Sequence, residues 1–590
     1  MDALGALHDV FELAEFRPGQ REVIDSVLAG RPTVAVMPTG AGKSLCYQLP
    51  AVVTGGTTLV VSPLIALMKD QVDGLTARGI PAAAITSSLA PDELAARLDD
   101  FARGRLRLCY VAPERLKSPR FEAALAARRL DLIAIDEAHC ISEWGHDFRP
   151  DYLRLGDGIA RHRPPRLVAL TATATPEVRR DIVAKLGMVD PATFVRGFDR
   201  PNLRFLVQRA GGARDKAARL AALARERRGQ ALLVYAATRK NAEAYADALL
   251  RAKVRVRPYH AGLADEVRAA AQDGFMDGRL DVIVATNAFG MGVDKRDVRA
   301  VIHADLPRSP EAYYQEAGRA GRDGLPADCI LLFNHGDVKV QEFLIESGTP
   351  GLELLREVWR AIRADPRRGA DEGRLRRSLP GKPSEMAVGA AVRFLTRSGF
   401  LEEQGGALEA VHGGRIDAQA VAARADIERH KLRAMVSYAY ATGCRRRFIL
   451  NYFGDDEGPA RCGACDACTG GAEPLAEAAR AHATATLSLA AELGGRFGRV
   501  RLAAILAGDD EDGRFDALVQ RGALRREGKD YARDLIRALE GAGLLQVSSG
   551  EYPTVCITPA GRRALKGIDP IHVVAPAPST GRPARRGRRA

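Results

Sequence analysis

At 590 residues the chain exceeds what one hydrophobic core supports, since single cores stop growing at roughly 250 to 300 residues, and three to five domains are expected. No run approaches the roughly 18 apolar residues that span a bilayer, and Asp2, Asp9 and Glu12 stand where a secretion signal would be basic; a membrane or secreted protein is not expected, and a cytoplasmic location is. The net charge of +13, from 87 Lys and Arg against 74 Asp and Glu, points to an acidic polymer as partner.

From residue 33 to 170, short β-rich runs alternate with helix-like stretches: TVAVMPT, TTLVVSP, RLCYVAPE, LDLIAIDEAH and PRLVALTAT. That alternation predicts a parallel sheet wrapped by helices. The first run ends at Val36 and leads into PTGAGKS, where Lys43 and Ser44 are expected to open a helix. Backbone N–H groups of a loop containing Thr39, Gly40 and Gly42 can cradle phosphate. The Lys43 ammonium can reach terminal phosphates, and the Ser44 hydroxyl can ligate Mg²⁺. Met37 stands where the strict pattern has Gly, so the reading rests on the core of residues 39–44.

The LIAI run closes on Asp136 and Glu137. In a parallel sheet they fall at the same carboxyl edge as the loop, where Asp136 can hold Mg²⁺ and Glu137 can orient or activate the attacking water. An acidic pair at a strand end is otherwise a solvated turn; the phosphate loop gives this one its chemical meaning. Trp144, Phe148 and Tyr152, mixed with His146 and Arg149, follow at once.

The β pattern restarts after FDRPNLRF with ALLVYAATR, VRVRPYHAG, DVIVATNAFG, AVIHADLP and ADCILLFN, predicting a second α/β unit over about residues 202–334. Two such units leave a cleft, the usual place for ligands of paired α/β domains. Charge developing on a transferred phosphoryl group calls for a cation supplied on closure. QEAGRAGR offers Gln315, Arg319 and Arg322, the arginines sharing a face at i, i+3 if helical.

Beyond Gly336 the β alternation stops. VRFLTRSGFL (392–401) and IRALEGAGLL (536–545) match in register, each an amphipathic helix end, a capping Gly and a strand start. This predicts two winged helices, around residues 350–412 and 473–567, with the first equally open to a plain helix and hairpin used for packing. Between them Cys444-x17-Cys462-x2-Cys465-x2-Cys468 supplies four thiolates, which suit tetrahedral Zn²⁺ or an iron–sulfur cluster. The terminal APAPSTGRPARRGRRA is expected to be a disordered basic tail.

Together, FRPGQ (16–20), MPTGAGKSLCYQLP, SPLIALMKDQ, APERL, DEAHCISEWGHDFRPDY, LTATAT, YHAGL, VATNAFGMGVDK, YYQEAGRAGRDGLPA and the cysteines resemble the RecQ family of DEAH-box DNA helicases, within helicase superfamily two, over most of the chain. The resemblance implies an α/β fold class with two RecA-like parallel-sheet motor domains, residues 1–200 and 201–345. After these it implies an inserted winged-helix-like domain (346–423), a helical hairpin and zinc-binding module (424–472), a winged-helix domain (473–567) and the tail (568–590). The insert interrupts the family's usual junction between motor and zinc module.

The implied activity is ATP-driven 3′ to 5′ translocation on single-stranded DNA with duplex unwinding, in repair and recombination. The implied cofactors are ATP, Mg²⁺ and Zn²⁺. Lys43, Asp136, Glu137, Gln315, Arg319 and Arg322 become the catalytic set, and Arg17 and Gln20 the adenine contacts. Leu13 stands where relatives often carry a stacking aromatic. Cys444, Cys462, Cys465 and Cys468 become ligands of structural zinc. Residues 142–152 resemble the family's aromatic-rich loop, which assigns Trp144, His146, Phe148, Arg149 and Tyr152 to single-stranded DNA; a base stacked on an aromatic face contributes roughly 1 to 3 kcal/mol. Single-stranded and forked duplex DNA and a single-strand-binding protein are the implied partners, with nucleoid association in a bacterium. The competing readings are a nucleotide-gated DNA-binding scaffold, an RNA helicase and a translocase that never separates strands.

Overall fold

The computed structural model describes residues 2–573 except 39, 64, 87–88, 143–151, 153–154, 163, 290–294, 366–371, 405–406, 412–415, 417, 456–457, 470–476, 511–512, 549–552, 569–570 and 572. The apolar runs of the first third become β1 (Thr33–Val36), β2 (Thr58–Val61), β3 (Ala82–Ile85), β4 (Leu108–Val111), β5 (Leu132–Ile135), β6 (Arg166–Thr171) and β7 (Ala192–Val195). They form one parallel sheet in the order β3-β4-β2-β5-β6-β1-β7. Successive side chains of a strand point to opposite faces. Val34 and Val36 therefore join one apolar cluster with Val61 and Ile135, while Ala35 joins another with Val60, Ala134 and Leu170. Truncating one of these large side chains to Ala costs about 2–5 kcal/mol.

The second sheet holds β8 (Leu203–Arg209), β9 (Ala231–Tyr235), β10 (Val256–Tyr259), β11 (Val282–Ala285), β12 (Val298–His303) and β13 (Ala327–Phe333), again all parallel, in the order β10-β11-β9-β12-β13-β8. Residues 196–202 link the two sheets. In both sheets the carboxyl ends of the central strands share one edge, which is where loops of an open parallel sheet collect ligands.

Residues 352–411 form a unit of their own. Helices Leu352–Ala364, Glu372–Ser378 and Glu385–Arg397 precede an antiparallel pair, β14 (Leu401–Gln404) and β15 (Ala407–Ala410). Leu355, Val358, Ile362, Leu375, Val388 and Leu395 bury into a core distinct from those of the lobes, with Val421 packed against it. Gly399, at φ +75°, lets the chain leave the third helix for β14. The three helices and hairpin have the winged-helix order, rather than that of a lone helix and hairpin.

Helix Ala418–Tyr440 and helix Arg445–Phe453 lead into the cysteine cluster. Helices Glu477–Leu493, Arg499–Ala507 and Gly528–Gly541, then β16 (Leu545–Val547) and β17 (Val555–Ile557), make the second winged helix, with Gly543 at φ +72° in the matching place. Two expected boundaries fall inside helices: Gly336–Gly348 runs through the 345/346 division and Ala418–Tyr440 through 423/424. Continuous hydrogen bonding carries each helix past a change in sequence character. The 568–590 tail lies almost wholly outside the described residues.

Candidate functional site

The phosphate loop leaves β1, where Met37 N–H still pairs with Thr171 C=O at 3.0 Å. Gly40 and Gly42 take φ +87° and +77°. At Gly42 a Cβ would displace the Gln20 amide that braces the loop, and the left-handed backbone itself disfavours a side chain. The following helix spans Leu45–Thr54 with Ser44 at its N-cap, the Ser44 C=O accepting from Gln48 N–H at 3.0 Å, so Lys43 and Ser44 stand at the helix opening. Lys43 Nζ donates to Pro38 C=O at 3.4 Å across the loop. Thr39 lies outside the described residues.

Gln20 is 2% exposed and braces this loop. Its Oε1 accepts from Arg17 N–H at 2.8 Å, and its Nε2 donates to the carbonyls of Ala41 (3.2 Å) and Gly42 (3.0 Å). The Arg17 guanidinium donates to Gly40 C=O. Beside them opens a cavity of about 390 Å³ lined by Phe11, Leu13, Arg17, Gln20, Gly42 and Gln48.

Asp136 follows β5, its N–H pairing with Val61 C=O at 2.8 Å, and Glu137 turns into the left-handed region at φ +47°. Backbone in that region is costly for a residue with a side chain and collects at functional sites. Ser62 Oγ donates to Asp136 Oδ2 at 3.4 Å, and Glu137 N–H to Asp136 Oδ1 at 3.0 Å. Nδ1 of buried His139 lies 3.3 Å from Glu137 Oε2 and 2.8 Å from Thr171 Oγ1. Burial and the neighbouring Glu137 charge push the Asp136 carboxyl up to about 6, against the pull of Lys43. Burial also works to raise Glu137, but His139 and Lys43 outweigh it and hold that carboxyl down at about 2. His139 rises to about 10: burial opposes this, and Cys140 and Glu137 overcome it. Glu137 is thereby held ionised beside the His139 ring. Ser62, His139 and Thr171 were not individually foreseen, although they lie within the quoted strings SPLIA, DEAH and LTATAT.

Tyr152 corrects one expectation. It is 0% exposed, and its hydroxyl donates to Asp136 C=O at 3.1 Å, so it is a core residue tied to the acidic turn and offers no face to a base. Trp144, His146, Phe148 and Arg149 lie outside the described residues.

From the second sheet, helix Pro310–Ala317 brings Gln315 to the gap between the lobes. A narrow cleft there is lined by Pro38, Ala172 and Thr173 of the first lobe, Arg200 of the linker, and Gln315 and Gly318 of the second. The helix ends at Ala317, so Arg319 and Arg322 occupy the turn after it and not a helical face as expected from their spacing. Gly321, in the left-handed region, bends the turn between them. Both guanidiniums act on Tyr235, whose hydroxyl is raised by burial and drawn back by their charge.

The four cysteines converge: the Sγ atoms of Cys444, Cys462, Cys465 and Cys468 lie within 4.8 Å of one another. Backbone N–H groups point at them, from Cys462 to Cys444 Sγ (3.3 Å), Cys465 to Cys462 Sγ (3.3 Å) and Arg445 to Cys465 Sγ (3.4 Å). Such donors stabilise thiolates, and four thiolates in a closed cluster suit tetrahedral Zn²⁺.

Family models match the chain in order: DEAD/DEAH box helicase over residues 17–182, helicase conserved C-terminal domain over 215–324, RecQ zinc-binding over 397–469 and RQC domain over 476–580. Together they define an ATP-dependent helicase that uses ATP and Mg²⁺, with Zn²⁺ at the four cysteines. An ATP-dependent DNA helicase RecQ of Bacillus subtilis is 39% identical over 572 residues, covering 96% of this chain and 84% of the relative. One of Haemophilus influenzae is 33% identical, covering 97% and 81%. A probable ATP-dependent DNA helicase RecS of Bacillus subtilis is 38% identical, covering 78% and 91%. This chain belongs to the RecQ family of helicases.

Proposed function

We propose that the protein is an ATP-dependent DNA helicase moving 3′ to 5′ on single-stranded DNA and separating the duplex ahead, in repair and recombination. The observation that carries this reading is the shared cleft, in which Pro38 and Thr173 of one lobe face Gln315 and Gly318 of the other. A site built from two lobes changes shape as they approach, so hydrolysis and movement become one cycle.

In this reading Lys43 leaves Pro38 C=O to pair with the terminal phosphates, and Gly40 and Gly42 keep the loop backbone open to them. Asp136 and Ser44 would hold Mg²⁺, which would supply charge neutralisation at the phosphate oxygens. Glu137, kept ionised beside His139, orients the attacking water and accepts its proton. Gln315, Arg319 and Arg322 approach from the second lobe as the cleft closes; a cation of this kind contributes about 10³–10⁵ in turnover in related phosphoryl transfers. Arg17 and Gln20 border the pocket for the base. Residues 143–151 carry the single-strand contacts, and Tyr152 ties their end to the carbonyl of Asp136, so tension on the strand reaches the acidic turn.

The terminal winged helix holds the duplex through phosphate contacts, and a single-strand-binding protein and the nucleoid supply the setting. The test is strand displacement on tailed duplexes of DNA and of RNA, each polarity, with and without ATP. Unwinding is expected only for DNA with a 3′ tail and ATP. ATP hydrolysis without displacement, or displacement confined to RNA or 5′ tails, overturns the reading.

A further inference from the structure

The linker between the lobes makes contacts that the proposed chemistry leaves unused. The Arg200 guanidinium donates to three carbonyls, those of Gly318 (2.8 Å), Ala320 (3.0 Å) and Gly321 (2.8 Å). Asn202 Nδ2 donates to Gly321 C=O and Leu325 C=O, both at 2.9 Å. All of these carbonyls belong to the turn beyond helix Pro310–Ala317, and that turn carries Arg319 and Arg322. The fit is close: a Cβ on Gly321 would lie 2.6 Å from Asn202 Nδ2. Carbonyls of an irregular turn have no ladder partners and must be satisfied from outside it, here by side chains of the linker. A planar guanidinium with five donors meets three of them at once, which an ammonium on a flexible stem cannot reproduce.

The linker is also gripped from its other side. Arg446, 5% exposed, donates to the carbonyls of Pro201 (3.1 Å) and Leu203 (2.9 Å) and faces Asp199 at 3.3 Å. The Phe453 ring stacks on Phe198 with centroids 4.6 Å apart. Both residues lie on helix Arg445–Phe453, which starts beside Cys444 of the thiolate cluster. Residues 198–202 are thus held between the cysteine module and the cationic turn, and Arg200 itself borders the interlobe cleft.

We propose that Arg200 is a positioning residue for turnover. It fixes the carbonyl frame from which Arg319 and Arg322 project, so the turn moves as one piece with the linker when the lobes close, and Arg446 sets the linker's own path. The proposal rests on the reading of Arg322 as the cation that completes the site.

The test is steady-state ATP hydrolysis at saturating single-stranded DNA, with Kd for DNA measured alongside. Arg200→Ala is expected to lower kcat about 10–100-fold while KM for ATP and Kd for DNA shift less than about 3-fold. Arg200→Lys falls between it and the parent. The double variant Arg200→Ala, Arg322→Ala is expected to be no slower than Arg322→Ala alone, because one residue acts through the other. Should Arg200→Ala fail to fold by circular dichroism, Asn202→Ala, which removes two of the contacts to the turn, carries the same expectations on a smaller scale. Parental kcat in the linker variant, a loss that appears in KM alone, or losses that multiply in the double variant overturn the positioning role while leaving the cation reading intact. Full turnover by Arg322→Ala sinks the cation reading and this inference with it.

Discussion

The two winged-helix units share an order of elements and a glycine exit from the third helix, yet they meet the rest of the molecule differently. In the terminal unit, Leu487, Leu502, Leu535 and Ile536 belong to the same apolar cluster as the lobes and the bridging helix Ala418–Tyr440. In the inserted unit, Leu355, Val388 and Leu395 form a core of their own that meets the start of the bridging helix at Val421, and its third helix, Glu385–Arg397, leans on helix Gly336–Gly348 from outside. Polar anchoring follows the same division. Arg209 lies over the rings of Phe333 (4.7 Å) and Tyr440 (4.2 Å), joining the second lobe to the bridging helix. Arg537 of the terminal unit donates to Nε2 of His335, whose Nδ1 lies 3.2 Å from the Tyr440 hydroxyl. One unit is fused to the motor; the other is appended to it.

The largest effect that separates the two comes from the metal cluster. Cys465→Ser removes a thiolate at the start of helix Arg445–Phe453, and unwinding is expected to fall at least about 100-fold with loss of zinc by metal analysis, while the insert stays folded. Next in size are paired core truncations. Leu535→Ala is expected to cost about 2–5 kcal/mol and to raise hydrogen exchange across the terminal unit and the bridging helix. Leu395→Ala costs a similar amount, but the added exchange stays within residues 352–411; exchange spreading into the lobes would show that the insert is fused as well.

A smaller change is expected from deleting residues 352–411. ATP turnover should persist, and fork affinity should drop about 3–10-fold, with a shallower salt dependence, because Arg374, Arg376, Arg377, Lys382 and Arg393 are exposed. Unaltered affinity would assign the insert to packing or to protein contacts. At neutral pH the smallest effect is that of His335, which shows only on acidification as acid sensitivity of the fused unit. Burial, with Arg537, Arg209, Lys339 and Arg533 nearby, holds His335 down at about 3. A base whose folded value lies below its unfolded value binds more protons when unfolded, so its contribution to stability shrinks as pH falls from about 6.5 toward 3. Replacing His335 by Gln is expected to flatten the pH dependence of melting in that window, and no change there would remove His335 from the account.

Much of this was legible in the residues. The phosphate loop, the acidic pair and the cysteine spacing each place several polar groups within a short segment, so local pattern is enough. The strands that apolar runs failed to mark were β3, β7 and β8, and each lies at the edge of its sheet. An edge strand is covered on fewer sides, so AAAI, ATFV and LRFLVQR carry less continuous apolar character than the central runs. Arg200, Asn202 and Arg446 escaped notice for another reason. They act on backbone carbonyls more than 100 residues away, and a carbonyl has no letter in the sequence. Tyr152 was misread because an aromatic among charged neighbours resembles a stacking platform until its burial is known.

Gly541 closes the third helix of the terminal unit directly against Tyr440, where a Cβ would come within 2.6 Å of the tyrosine Cβ. One added methyl would act as a wedge between two long rods, prising them apart at a cost of about 1–3 kcal/mol. Leverage would magnify that shift toward the far tip of the unit, so the alignment of the terminal head with the two lobes depends on the smallest residue in the joint.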